Sequence, residues 1–141
     1  MVIMSQSTDI HKASGIIIRD RRLLVERSLG KTVFISPGGS IEDGETPQQA
    51  LVRELKEEFN ITVKEADLKP FGTFQAEAAG QPGKTVTMEV FMVVAWQGEP
   101  TPSSEVEELR WITSRNEENL PLGSIFEHHV TPRLKAADLI E

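Results

Sequence analysis

Near the start of the chain, apolar residues 16–18 and 23–25 flank the charged run Arg19-Asp20-Arg21-Arg22, a pattern that predicts a β-hairpin. "TVFISPGGS" predicts a short strand stopped by Pro37 and released through Gly38 and Gly39, and Asp43-Gly44 predicts a turn. The apolar period then becomes helical. Leu51, Leu55 and Phe59 recur at i, i+4 and i+8 and form one stripe. Thr46 is placed to cap the helix, Pro47 suits its first position, and Gln49 completes a capping box. A helix over 47–59 follows, ended by Asn60, whose side chain tolerates the left-handed conformation.

Beyond it, "LKPFGTFQAEAAG" and "KTVTMEVFMVVAWQG" predict two long strands joined at Gln81-Pro82-Gly83. In the second, Val86, Met88, Val90, Met92, Val94 and Trp96 alternate with Thr87, Glu89, Phe91, Val93 and Ala95. Both faces are largely apolar, so this strand should be covered on both sides. A polar loop, "GEPTPSSEVEE", precedes a short strand at 109–113. A C-terminal helix is expected over about 122–140, bent or split by Pro132. With no repeat and no linker, the pattern predicts one α/β domain whose mixed sheet is sandwiched between helices.

Composition narrows the partners. The 141 residues are enough for one core, and the formal charge of −7 argues against a broad footprint on duplex nucleic acid. The absence of cysteine excludes disulfides and thiolate metal sites. "MVIMSQSTDIHK" is too short in apolar residues for a signal-peptide core, and no stretch approaches a membrane span, so a cytoplasmic location is expected.

One charge pattern stands out. Within "RELKEE", Glu54, Glu57 and Glu58 fall at i, i+3 and i+4 of the predicted helix and repel one another by a few tenths of a kcal/mol per pair. Such a cluster is often just a solvated helix face. It is also a set of hard oxygen ligands that a divalent cation such as Mg²⁺ or Mn²⁺ would turn from repulsion to attraction. A carbonyl in the Pro37-Gly38-Gly39 turn offers another oxygen, and Arg53 lies beside the acids.

The wider spacing separates these alternatives. Gly39, Glu45, Arg53-Glu54-Leu55, Glu57-Glu58 and Ile61 match G-x5-E-x7-R-E-U-x-E-E-x-G-U, where U is aliphatic, and Asn60 replaces the second glycine. This stretch resembles the Nudix box, and the flanking strands and helix resemble the rest of a Nudix domain, so the resemblance covers nearly the whole chain. It implies metal-dependent hydrolysis of a nucleoside diphosphate linked to another group. Glu54, Glu57, Glu58 and the Gly38 carbonyl would then bind Mg²⁺ or Mn²⁺, while Glu45 and Arg53 would orient the loop and helix.

The general base varies in this family. Glu54 is one choice. Glu105 resembles an outer-loop glutamate of MutT-like enzymes, or else is a solvated loop acid. Arg27 and, more weakly, Lys31 stand where related enzymes put basic residues against substrate, although a surface role fits Arg27 as well. Glu89 interrupts an apolar strand and needs a partner, either substrate or a core arginine. Phe34 and Phe74 either stack on a base or pack in the core, with packing favoured. His128 and His129 read as surface or lining residues.

The chain has no tyrosine, so the tyrosine of diadenosine polyphosphate hydrolases is absent. The NADH-type signature is absent too, and Pro70 falls short of the proline usual in ADP-ribose pyrophosphatases. By elimination the chain resembles a MutT-like enzyme for nucleoside triphosphates, with nucleotide sugars, dinucleotides and capped RNA ends as alternatives. A non-catalytic nucleotide-sensing or protein-binding module is the other class, and such modules usually lose box glutamates. Many Nudix enzymes dimerise, so a homodimer is compatible with the resemblance.

Overall fold

A computed structural model describes residues 10–78 and 82–141. The expectations for the N-terminal segment and for Gln81 lie outside the described residues. β1 (Ile10–Ile16) is followed by the short β2 (Ile18–Arg19) and by β3 (Arg22–Ser28). β2 and β3 form the expected hairpin, closed by Asp20 and Arg21 at φ 53° and 61°. Two residues of positive φ give a turn whose twist matches that of its strands.

Two sheets share the centre of the molecule. β4 (Gly38–Ser40), β1, β6 (Thr85–Val93) and β5 (Leu68–Glu77) form a mixed sheet in that order, with β1 and β6 parallel. β2, β3 and β7 (Val106–Ile112) form an antiparallel sheet. Alternation along β3 sends Leu24 to one core, with Ala13, Leu51, Leu55, Phe59 and Phe91. It sends Leu23 and Val25 to the other, with Ile16, Val90, Val130 and Leu134. Helices therefore cover opposite faces of the strands, the α/β/α arrangement expected.

α1 (Pro47–Phe59) follows its sequence signals closely. The Thr46 hydroxyl accepts from the Gln49 amide, the Gln49 side chain accepts from the Thr46 amide, and Asn60 is left-handed at φ 58°. Leu51, Leu55 and Phe59 are fully buried. Each contributes about 1.5–3 kcal/mol of apolar burial.

Several boundaries differ from expectation. Phe34 and Ile35 make only isolated bridges, to Leu122 and Glu26, and the regular strand comes after Pro37. β7 begins at Val106 rather than 109, because Val106 pairs with Ser28 across an irregularity in β3. β6 stops at Val93, which leaves Val94 exposed.

Leu122 is extended against Phe34 and does not start the last helix. A π-helical turn over Phe126–Val130 runs straight into α2 (Thr131–Ala136), with Pro132 in its first turn. Pro132 lacks an N–H and crowds the preceding turn, and widening that turn removes the clash without splitting the helix. The Thr131 amide and hydroxyl both donate to the Phe126 carbonyl, the hydroxyl at 3.0 Å, and the hydroxyl also reaches the Glu127 carbonyl at 3.3 Å. After Ala136 the chain leaves the helix through Asp138 at φ 58°, where Arg21 binds the Asp138 carboxylate.

Candidate functional site

Glu54 and Glu58 lie along the edge of α1 that carries Leu51 and Leu55 inward, so they are partly withdrawn from water. Glu57 turns outward. Arg53 ties the loop to the helix. Its Nε and Nη2 donate to the two oxygens of Glu45 at 2.8 and 2.9 Å, and Nη2 also reaches the Ser40 carbonyl at 3.1 Å. Nη1 donates to Glu54 at 2.8 Å and Glu57 at 3.4 Å. The Arg53 guanidinium and the Glu42 amide hold the Glu45 carboxyl down at about 2. Burial pushes the Glu54 carboxyl up, against the pull of Arg53. Glu45 and Arg53 thus tie the loop after β4 to α1.

The two glycines where the box begins do different things. Gly38 adopts φ 142°, and a Cβ there would sit 2.1 Å from the Ala13 carbonyl oxygen, so the backbone itself demands glycine. At Gly39 a Cβ would fall 2.5 Å from the Glu54 carboxyl carbon, so this glycine makes room for a functional group. The Gly38 amide donates to the Glu58 carboxylate.

Glu26, on β3, was missed by the sequence reading. It shares the inward face of Leu24, is 0% exposed, and turns its carboxyl to that of Glu58. Burial and then the facing Glu58 push the Glu26 carboxyl up, whereas burial and then the charge of Glu54 push Glu58 up, against the hydrogen bond that a protonated Glu26 gives it. With both ionised, neither Glu26 oxygen nor Glu58 Oε1 has a hydrogen-bond partner among the described residues. The signal was present: a lone acid two residues from Leu24 in "LLVERS" must share its buried face.

Glu105 ends the loop before β7 and adds its negative charge to the field at Glu58. This loop is fastened to α1, since the Thr101 amide donates to the Phe59 carbonyl and the Ser103 amide to the Glu58 carbonyl, both at 2.9 Å.

Beside the acidic cluster opens a cleft of about 490 Å³, lined by Ile10, Lys12, Val86, Met88, Ile125 and Phe126 among others. Lys31 also lines it. Lys12 connects the cleft with the cluster, because its charge acts on Glu26.

Two expected substrate residues do not belong to the cleft. Glu89 projects from β6 on the side away from Met88, and its Oε2 lies 2.6 Å from His11 Nε2. Its protein partner is therefore a histidine and not the core arginine anticipated. Arg27 donates to Glu108 at 2.9 and 3.0 Å, to Glu107 at 2.8 Å and to the Lys31 carbonyl at 2.9 Å. It would have to give up these acceptors to bind a phosphate. Phe34 and Phe74 are core residues, and His129 stacks on Phe74 with ring centroids 5.5 Å apart.

In this arrangement no three acidic side chains among the described residues converge closely enough to hold an ion, because Arg53 draws Glu54 and Glu57 to itself. The donor set nevertheless fits a hard cation. Glu58 Oε1 is buried without a partner, and Gly39 keeps the space in front of Glu54 open.

A family model described as NUDIX domain matches residues 9–134. The chain belongs to the Nudix family. It is 33% identical over 103 residues to the 8-oxo-dGTP diphosphatase of Proteus vulgaris, covering 70% of this chain and 88% of that protein. It is 31% identical over 105 residues to the ADP-ribose pyrophosphatase of Methanocaldococcus jannaschii, covering 72% and 60% respectively. In fold it resembles the solution structure of the E. coli ORF135 protein, with a TM-score of 0.74, 24% identity, and 96% and 97% of the two chains covered. The protein is a MutT-like Nudix pyrophosphohydrolase. No described helix is long and apolar enough to cross a membrane.

Proposed function

We propose that this Nudix hydrolase cleaves a pyrophosphate bond in a nucleotide, with a nucleoside triphosphate as the leading substrate. Mg²⁺ or Mn²⁺ would be held by Glu54, Glu57, Glu58 and the Gly38 carbonyl. The observation that carries the reading is the junction of an acidic cluster with a largely apolar cleft, with Lys12 at the boundary. The cleft suits a nucleoside, and Lys12 and Lys31 suit its phosphates. A divalent ion held at the cluster would neutralise phosphate oxygens and make water a better nucleophile near neutral pH.

The protein groups orient and accept protons. Arg53 fixes Glu45 and Glu54 relative to the Gly38-Gly39 turn. Glu54 takes the proton from the attacking water in this reading, and Glu105 is the alternative base. A panel of nucleoside triphosphates, ADP-ribose, nucleotide sugars, dinucleotides and capped RNA tests the substrate, with each product identified in the presence of Mg²⁺ or Mn²⁺. Release of pyrophosphate and a nucleoside monophosphate from triphosphates is expected. Turnover confined to ADP-ribose would shift the assignment to the second reading, which the name of the M. jannaschii relative favours. No turnover of any member, with or without metal, would favour a binding module, against which all the box glutamates argue.

A further inference from the structure

A carboxylate cut off from water needs a proton, a hydrogen-bond donor or a cation beside it. Glu26 has no donor. Both of its oxygens lack partners among the described residues, and Lys12 acts on it through charge without a hydrogen bond. The strand around it is held firmly, since the Glu26 amide donates to the Ile35 carbonyl at 2.8 Å and the Ile35 amide to the Glu26 carbonyl at 2.7 Å. The side chain therefore projects from a fixed backbone toward Glu58, a residue of the box.

Three unpartnered carboxyl oxygens, Glu26 Oε1, Glu26 Oε2 and Glu58 Oε1, thus belong to one facing pair. A shared proton would satisfy two of them at most. A hard divalent ion can take all three oxygens, and its charge balances both acids. We propose that Glu26 is a ligand of a divalent cation seated between itself and Glu58, on the inner side of the box helix. This rests on the reading of Glu58 as a metal ligand and adds a carboxylate from outside the box. It also explains why an acid stands in the Leu24 row of an otherwise apolar strand, where a hydrophobe would pack at lower cost.

The test is Mn²⁺ binding without substrate, measured on the full chain by the electron paramagnetic resonance of free Mn²⁺. Wild type, Glu26→Gln, Glu58→Gln and the double variant are compared, with circular dichroism to confirm the fold. Glu26→Met, similar in length and suited to apolar surroundings, replaces the glutamine variant should that one not fold. The expected result is that the change at Glu26 abolishes one Mn²⁺ equivalent or raises its Kd at least about tenfold. The double variant should be no worse than Glu58→Gln alone, because both residues serve one ion. If Glu58→Gln weakens binding while both Glu26 variants bind as wild type does, Glu26 is only a proton-sharing neighbour. The proposal then falls while the box reading stands. If neither position affects Mn²⁺, both fall.

Discussion

Individual residues at this site are selected by what lies within a few ångströms of them, and Gly38 and Gly39 show how differently neighbours can be constrained. Gly38→Ala puts a methyl against a backbone carbonyl at a φ reserved for glycine, and is expected to cost at least about 3 kcal/mol in denaturant unfolding. Gly39→Ala meets only the movable end of Glu54, so its melting temperature should change little. Hydrolysis should nevertheless fall about a hundredfold, since a carboxylate displaced by an ångström no longer does its work. Similar losses of stability and activity in both variants would refute this division.

Glu45 supplies a pH signature. Its folded pKa of about 2 lies below its ordinary value near 4.5, so the stability from its bond to Arg53 is complete above that value and is lost as pH falls from there toward 2. Acid unfolding of Glu45→Gln should therefore have a flatter limb between those limits, while the neutral-pH profile keeps its shape.

At the scale of elements, α1 was legible because its signals are local. Thr46, Pro47, Gln49 and Asn60 act within one turn of themselves, and the Leu51, Leu55, Phe59 stripe records the buried face directly. Thr46→Ala should cost about 1 kcal/mol, and Asn60→Ala a similar amount for forcing alanine into the left-handed region; thermal melts would show it. Asn60→Gly should equal or exceed wild type. What the sequence concealed depended on distant pairing. The start of β7 is set by β3, and Phe34 and Ile35 fail to make a regular strand because their partners are single residues far along the chain. Glu89 shows the same limit in the site: alternation revealed that it needed a partner, but only the parallel pairing of β1 with β6 supplies His11.

For the whole molecule, the site lies where α1, the β4 turn and β3 meet, so an ion bound there joins elements from both sheets. Adding Mn²⁺ at about a hundred times its Kd should stabilise the fold by about 2.7 kcal/mol, and a chelator should reverse this. For a chain of this size that corresponds to a rise of roughly 5–10 °C in Tm. Glu58→Gln should remove most of the rise while melting no lower than wild type without metal, since it gives up a buried charge of which one oxygen has no partner. A melting temperature indifferent to Mn²⁺ and EDTA would contradict the metal reading at this level.

The loop that fastens onto the end of α1 reads Pro100-Thr101-Pro102-Ser103, and only its second and fourth residues have an amide to offer the Phe59 and Glu58 carbonyls. This alternation makes the loop sensitive to length more than to composition. Inserting one residue ahead of it brings Pro100 and Pro102 opposite both carbonyls, so neither acceptor is satisfied, whereas deleting one brings Pro102 opposite Phe59 and leaves Ser104 to serve Glu58. A shift of two residues brings non-proline residues opposite both carbonyls again, and replacing Thr101 or Ser103 with other non-proline residues keeps both donors. In a library of variants of this segment, survivors should therefore be rich in substitutions and poorest in single-residue insertions, with single deletions in between.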